Sequence, residues 1–269
     1  MYLMKKGKEL MVKAKSKPTK MKNSLPSKKC SMCGKEYKKK AIRVMDIDRY
    51  FYVAKCDCEQ AYQEQQTALV INQAKEKRIL ELTNCGWGPR FKDATLQNFK
   101  VKKGEVGIGL NECIDYVNDF EKYYFDGRGL ILTGPVGCGK THLLIGTIKE
   151  LAQQHYSLIK SMHFRTLIDL LGMLKLAMKE DKSEQLTRVF MNTNVLVLDD
   201  LGAERLTEWS KEVLYKIINH RYEQRYIILA STNLSVEELV ERFDNRIISR
   251  LFEMCQGIIM KGADYRRKK

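Results

Sequence analysis

The chain has 269 residues, 44% of them hydrophobic and 30% charged, and a formal net charge of +15. That length holds one domain of ordinary size plus a small one and buries a sizeable core. No apolar run approaches the ~18 residues of a membrane span, and the lysine-rich start lacks an apolar stretch of signal-peptide type. No membrane association and a cytoplasmic location are therefore expected.

The charge is uneven. Residues 1–29 hold ten Lys against Glu9 alone, a net +9, residues 30–58 add +3, residues 59–88 add −1, and the last 181 residues hold only +4. With Pro18, Pro26 and little periodicity, residues 1–29 read as a basic flexible arm with a short helix near Leu3–Lys15. Such an arm suits a nucleic acid or another polyanion, or serves only to solubilise.

Residues 30–88 read as a small domain of their own. Cys30-Ser31-Met32-Cys33-Gly34 is followed, with 22 residues between, by Cys56-Asp57-Cys58. Two close cysteine pairs in a reducing compartment read as metal ligands better than as disulfides. Four thiolates at Cys30, Cys33, Cys56 and Cys58 suit tetrahedral Zn²⁺, with an iron–sulfur cluster or unliganded thiols as the alternatives. Four protein ligands leave no open position, so the role is structural. Between the pairs, Ile42, Val44, Tyr50, Phe51, Tyr52 and Val53 supply two short strands. Glu59 to about Leu82 has no Gly or Pro and predicts a helix, which Asn84-Cys85-Gly86-Trp87-Gly88-Pro89 breaks. The domain boundary is placed there, and the lone thiol of Cys85 reads as packed.

From Pro89 onward strands alternate with helices. An amphipathic helix near 110–124 precedes a strand over 129–133, and helices are predicted over about 140–155, 166–179, 182–192, 208–224, 235–243 and 245–255. Further strands are predicted near 158–164, 195–199, 226–231 and 257–261. Short apolar strands between helices argue a parallel sheet covered on both faces.

Between the first of those strands and its helix lies Gly134-Pro135-Val136-Gly137-Cys138-Gly139-Lys140-Thr141, followed by His142. This is the pattern G-x-x-x-x-G-K-[ST], whose glycines let backbone N–H groups cradle phosphates at a helix N-terminus. Lys140 then reaches the β- and γ-phosphates and Thr141 ligates Mg²⁺. A chance Gly-rich turn is the bland alternative. Fifty-nine residues beyond Lys140, the run Val195–Leu198 ends in Asp199-Asp200. Asp199 is expected to hold Mg²⁺ opposite Thr141, and Asp200 to orient or deprotonate the attacking water. Asn233, or as second choice Thr232, ends the strand Ile227–Ser231 at the same sheet edge and can reach the γ-phosphate. Arg242, Arg246 and Arg250 share one face if their helices are continuous. A solvated basic face is the simpler reading of that spacing, and a guanidinium presented to a neighbouring subunit's phosphate the sharper one.

The stretches GPVGCGKTHL (134–143), VLVLDDLGAE (195–204), INHRYEQRYIILASTNLS (218–235) and NRIISRLFEM (245–254) together resemble the AAA+ ATPases of the DnaC/DnaI helicase-loader type. PRFKDATLQNF (89–99) and GADYRRKK (262–269) are similar too. The resemblance covers most of 89–269 and implies an α/β P-loop NTPase of AAA+ type without a C-terminal lid. It implies that residues 134–142 and Asp199 bind ATP·Mg²⁺, that Asp200 acts at hydrolysis and that Asn233 is a sensor. Arg250 is the best match to a trans-acting arginine, with Arg246 one turn away. Arg266 is implied as a second phosphate-side arginine, and Phe91 near the adenine. As partners it implies a hexameric replicative helicase, single-stranded DNA tracked by elements within about 166–192, and other copies of the chain. Asp200 stands where AAA+ proteins more often carry Glu, which favours slow hydrolysis. Three other functions remain open: an IstB-type transposition ATPase, a P-loop small-molecule kinase, and an ATP-binding adaptor without turnover.

Overall fold

The computed structural model describes residues 29–44, 47–53, 56–101, 107–203, 206–262 and 264. The helix expected near Leu3–Lys15 and the side chain of Arg266 lie outside them. The chain divides into two compact units, residues 1–70 and 71–269. In the first, Gly34 adopts φ +71° and its N–H returns to the Cys30 carbonyl at 2.9 Å, which closes the expected knuckle. Strands β1 (Lys38–Val44) and β2 (Ile47–Val53) pair antiparallel from Lys38↔Val53 to Val44↔Ile47. Cys58 then opens helix α1 (Cys58–Thr83).

The sequence puts the break after α1, at 88/89, but the two units divide inside the helix. The cause lies in its second half, which belongs to the larger unit. Arg78 donates to the carbonyls of Ile159 (3.0 Å) and Lys160 (2.6 Å), and Leu82 is buried in that unit's core.

The larger unit has three layers. After helices α2 (Ile108–Asn118) and α3 (Phe120–Asp126), the strands are β3 (Gly129–Thr133), β4 (Met162–Thr166), β5 (Val195–Leu201), β6 (Ile227–Thr232) and β7 (Cys255–Ile259). They form one parallel sheet in the order β4-β5-β6-β3-β7. Between them run α4 (Lys140–Gln154), α5 (Leu167–Met178), α6 (Ser183–Asn192), α7 (Glu208–Glu223), α8 (Val236–Arg242) and α9 (Asn245–Met254). Alternate strand residues face opposite layers. Leu130, Leu132, Val195, Val197 and Leu229 pack with α2, α3 and α4, whereas Ile131, Leu196, Leu198, Ile228 and Ala230 pack with α5, α6, α7 and α9. Both faces are covered, so the strands read as continuous apolar runs.

Four helix starts are set by side-chain caps. Thr166 accepts from the Asp169 N–H, Thr207 from that of Ser210 and Asp244 from that of Arg246, while Ser235 and Glu238 form a reciprocal capping box. Three boundaries differ from the sequence reading. The helix expected near 110–124 is divided at Asp119. Strand β4 begins at Met162 because the Ile159 and Lys160 carbonyls are taken by Arg78. Strand β7 starts at Cys255, directly after α9. Among the described residues no helix is long and apolar enough to cross a membrane.

Below the sheet, away from the phosphate-loop edge, Arg221 is wholly buried. It donates to the carbonyls of Phe190 (2.9 Å), Met191 (3.3 Å), Thr193 (2.7 Å), Asn194 (3.2 Å) and Ile227 (2.5 Å), tying the end of α6 to the starts of β5 and β6. Burial pulls its pKa down to about 9, still charged at neutral pH. Arg221→Ala is expected to cost about 3 kcal/mol or more in urea unfolding, because it leaves these buried acceptors unmatched. Arg221→Lys recovers little, since a point-like ammonium cannot span two sets of carbonyls. Arg188→Ala, which removes an exposed pair with Glu184, is expected to change stability by less than about 1 kcal/mol.

Candidate functional site

The carboxyl ends of β3, β5 and β6 meet at one edge of the sheet, and β6 lies between the other two. The loop 134–139 leaves β3 and delivers Lys140 as the first residue of α4. Gly137 and Gly139 have φ of +77° and +97°, and a Cβ on Gly139 would lie 2.5 Å from the Phe99 ring. Only glycine fits this turn without strain. Asp264 packs against the loop at Gly137.

Lys140 is buried, 5% exposed, and its ammonium has three N–H donors. They meet the carbonyls of Gly134 and Pro135, both at 2.8 Å, and Asn233 Oδ1 at 2.6 Å, with Cys138 Sγ at 3.8 Å. The Asn233 Nδ2 in turn donates to Asp200 Oδ1 at 3.4 Å. A polar chain thus runs from Lys140 through Asn233 to Asp200, as residues 93 and 33 positions apart are brought together.

Beside it, the Thr141 hydroxyl donates to Asp199 at 2.9 Å (Oδ2), with Oδ1 at 3.1 Å. Asp199 is only 3% exposed. Burial raises its pKa and the Asp200 charge adds to this, against hydrogen bonds from Ser231 and Thr141 and the charge of Lys140. A hydroxyl and a carboxylate at this distance form a hard-oxygen pair of the kind that Mg²⁺ takes.

Asp199 and Asp200 would face opposite sides of a regular strand, yet both serve this edge. The β5–β6 register explains it: Leu198 pairs with Ala230 and Leu201 with Thr232, so Asp199 and Asp200 together oppose Ser231 alone. This is a β-bulge. Asp200 takes the left-handed conformation, φ +55°.

Residues 89–99 lie along α4. Lys149 donates to the carbonyls of Lys92 (2.6 Å) and Ala94 (2.8 Å), and His142 Nε2 is 2.9 Å from both Thr95 O and Asn98 Oδ1. His142 therefore faces this segment, with Phe99 edge-on at 5.4 Å. Phe91 is half-buried against the α2–α4 core. Phe99 is the aromatic ring that meets the loop, a placement sequence reasoning missed.

The second-choice sensor, Thr232, is turned away: its hydroxyl donates to Leu201 O (2.7 Å) and accepts from the Leu234 N–H (3.1 Å). Nor do the three arginines share one continuous helix, because α8 ends at Arg242 and α9 is capped anew by Asp244. Arg242 donates to the Gly202 carbonyl. Arg246 pairs with Asp244 at 2.7 Å and lies 4.7 Å from the Tyr215 ring centre. Arg250 lies over Tyr215 (5.2 Å) and Tyr222 (5.6 Å), and its Nε is buried without a partner.

In the first unit the sulfurs of Cys30, Cys33, Cys56 and Cys58 all lie within 4.8 Å of one another. Backbone N–H groups of Cys33 and Met32 draw the Cys30 thiol down to about 7. At Cys56 a backbone hydrogen bond from Cys58 favours the thiolate, but the Cys33 side chain and burial outweigh it and push the thiol up to about 12. Four thiols so close resist ionising together unless a cation sits among them, which fits the donor set of a tetrahedral zinc site.

The family model for IstB-like ATP-binding proteins matches residues 119–269. The chain is 32% identical over 205 residues to the phage-like element PBSX protein XkdC of Bacillus subtilis, covering 71% of this chain and 73% of that protein. It is 34% identical over 132 residues to the replicative helicase loader DnaI of Bacillus subtilis, but this spans only 48% of the chain and 41% of DnaI. Among solved structures, that of the DnaC helicase loader superposes with a TM-score of 0.58 at 31% identity, covering 65% of this chain and all of that one. The resemblance to DnaC/DnaI-type loaders and the AAA+ P-loop fold are thereby upheld.

Gly139→Ala is expected to weaken ATP binding at least about tenfold in a fluorescent-analogue titration, because the added methyl meets Phe99 and the left-handed backbone strains it. Gly172→Ala, inside α5 with nothing within 4 Å of the new Cβ, is expected to leave binding unchanged and raise stability by roughly 0.5–1 kcal/mol.

Proposed function

We propose that this chain, which belongs to the family of IstB-like ATP-binding proteins, is an ATP-dependent loader of a hexameric replicative helicase. The observation that carries the reading is the meeting of Lys140, Thr141, Asp199, Asp200 and Asn233 at one sheet edge, in a chain similar to the DnaI and DnaC helicase loaders.

Residues 134–142 bind the triphosphate, with backbone N–H groups and the α4 N-terminus facing its negative charge. All three donors of Lys140 are engaged within the protein, so a β- or γ-oxygen enters by replacing a carbonyl acceptor. Thr141 and Asp199 hold Mg²⁺, which supplies neutralising charge to the phosphate oxygens. Asp200 orients and deprotonates the attacking water, and Asn233, bonded to both Lys140 and Asp200, reports the γ-phosphate to the water side. Arg250, with Arg246 one turn away, stabilises transition-state charge on a neighbouring copy's nucleotide.

Residues 30–88 hold Zn²⁺ at the four cysteines and bind the helicase, and the paired helices α5 and α6 contact single-stranded DNA. ATP binding favours the assembled state and hydrolysis releases it. A second reading is an IstB-type transposition ATPase guiding a transposase, supported by the match to IstB-like ATP-binding proteins and by likeness to an insertion-sequence ATP-binding protein. The cysteine module argues for the loader, and association with a transposase rather than a helicase would reverse the choice.

Lys140→Ala is expected to abolish ATP binding, and Asp200→Asn to lower steady-state hydrolysis by about tenfold or more while affinity stays within about threefold. Unchanged turnover in Asp200→Asn would mean an ATP-binding adaptor. Treating the chain with a chelator and a thiol reagent is expected to release one zinc per chain and abolish capture of the helicase encoded in the same genome. If the untreated protein does not bind that helicase with or without ATP, the loader reading fails.

A further inference from the structure

Ser231 carries no motif and ends no helix, yet its one hydroxyl contacts the carboxylate of Asp199 and the backbone of Asp200. Its Oγ donates to Asp199 Oδ1 at 2.5 Å and accepts the Asp200 N–H at 3.1 Å. A hydroxyl has one proton to give and lone pairs to receive, so both bonds are made at once. The side chain is fully buried, with no water to take over either role. It is also the single β6 residue that opposes the two aspartates across the bulge.

We propose that Ser231 is a positioning residue for the ATP·Mg²⁺ site, locking Asp199 in the orientation that receives the metal and Asp200 in its left-handed conformation. The inference rests on the proposed roles of those two carboxylates. Its physical basis is twofold. A carboxylate oxygen held by a buried hydroxyl cannot swing about its χ2 axis, which leaves Oδ2 on the Thr141 side. A non-glycine residue at φ +55° is disfavoured unless its surroundings fix it, and the Asp200 N–H bonded to Ser231 is such a fixing contact. Thr141 reaches Asp199 from α4, whereas Ser231 reaches it from the neighbouring strand β6, so neither substitutes for the other.

The test measures affinity of the full chain for a fluorescent ATP analogue, with saturating Mg²⁺ and with EDTA, together with thermal unfolding of the nucleotide-free protein. Ser231→Ala is expected to leave affinity in EDTA within about twofold and to cut the gain in affinity produced by Mg²⁺ about tenfold, with a fall of a few degrees in unfolding temperature. Ser231→Thr keeps the hydroxyl and restores most of that gain, while Ser231→Val, equal in shape to threonine, does not. The Thr/Val pair also decides the matter if the alanine variant unfolds. An unaltered Mg²⁺ gain in Ser231→Ala overturns the proposal, as does an equal loss with and without Mg²⁺, which marks a merely structural residue. If the wild-type chain itself binds ATP no more tightly with Mg²⁺, the metal reading of Asp199 fails first and takes this role with it.

Discussion

Lys140 and Asp199 are opposite charges buried at the head of one helix, 5% and 3% exposed. Ionised groups removed from water each cost several kcal/mol unless they are paired and hydrogen-bonded. Here every donor of the lysine is used, and the aspartate accepts from two hydroxyls. The polar groups of the site are therefore held in place by one another and by the backbone around them. Such fixed dipoles and charges in a low-dielectric setting are the main source of catalytic stabilisation in phosphoryl chemistry.

The position of β6 makes this arrangement possible. The chain forms β3, then β4 and β5 further out, and returns to place β6 between β5 and β3. Asn233, directly after β6, thereby falls between the lysine that follows β3 and Asp200 near the end of β5. The bulge where Asp199 and Asp200 oppose Ser231 brings two neighbouring carboxylates to the same edge, which the period-two alternation of a strand forbids. A covered sheet with apolar side chains on both faces tolerates this local irregularity because the ladder is regular on either side of it.

The same charge logic governs the first unit at a different site. Four sulfurs lie within 4.8 Å of one another, and backbone and mutual hydrogen bonds favour the Cys30 thiolate while Cys56 and Cys58 are held above the ordinary thiol value. A dication there would let all four ionise and would close a unit whose described regular structure is a hairpin and the start of a helix.

Much of this was legible in the residues themselves. The phosphate-loop pattern, the apolar run ending in Asp199-Asp200, the paired cysteines and the helix and strand periods are local, and local spacing determines them. Long-range pairing decided the rest. Ser231 was simply the end of a predicted strand, and Thr232 stood as second choice to Asn233, until β6 was set beside β5. Phe99, not visibly different from Phe91, proved to be the ring against the loop because Lys149 and His142 hold residues 89–99 along α4. The three arginines separated because Asp244 starts a new helix, and α1 divided between two units because Arg78 finds carbonyls some eighty positions away. Sequence spacing reports which side chains share an element. Which elements become neighbours depends on how the whole apolar surface is buried, and only the tertiary structure records that.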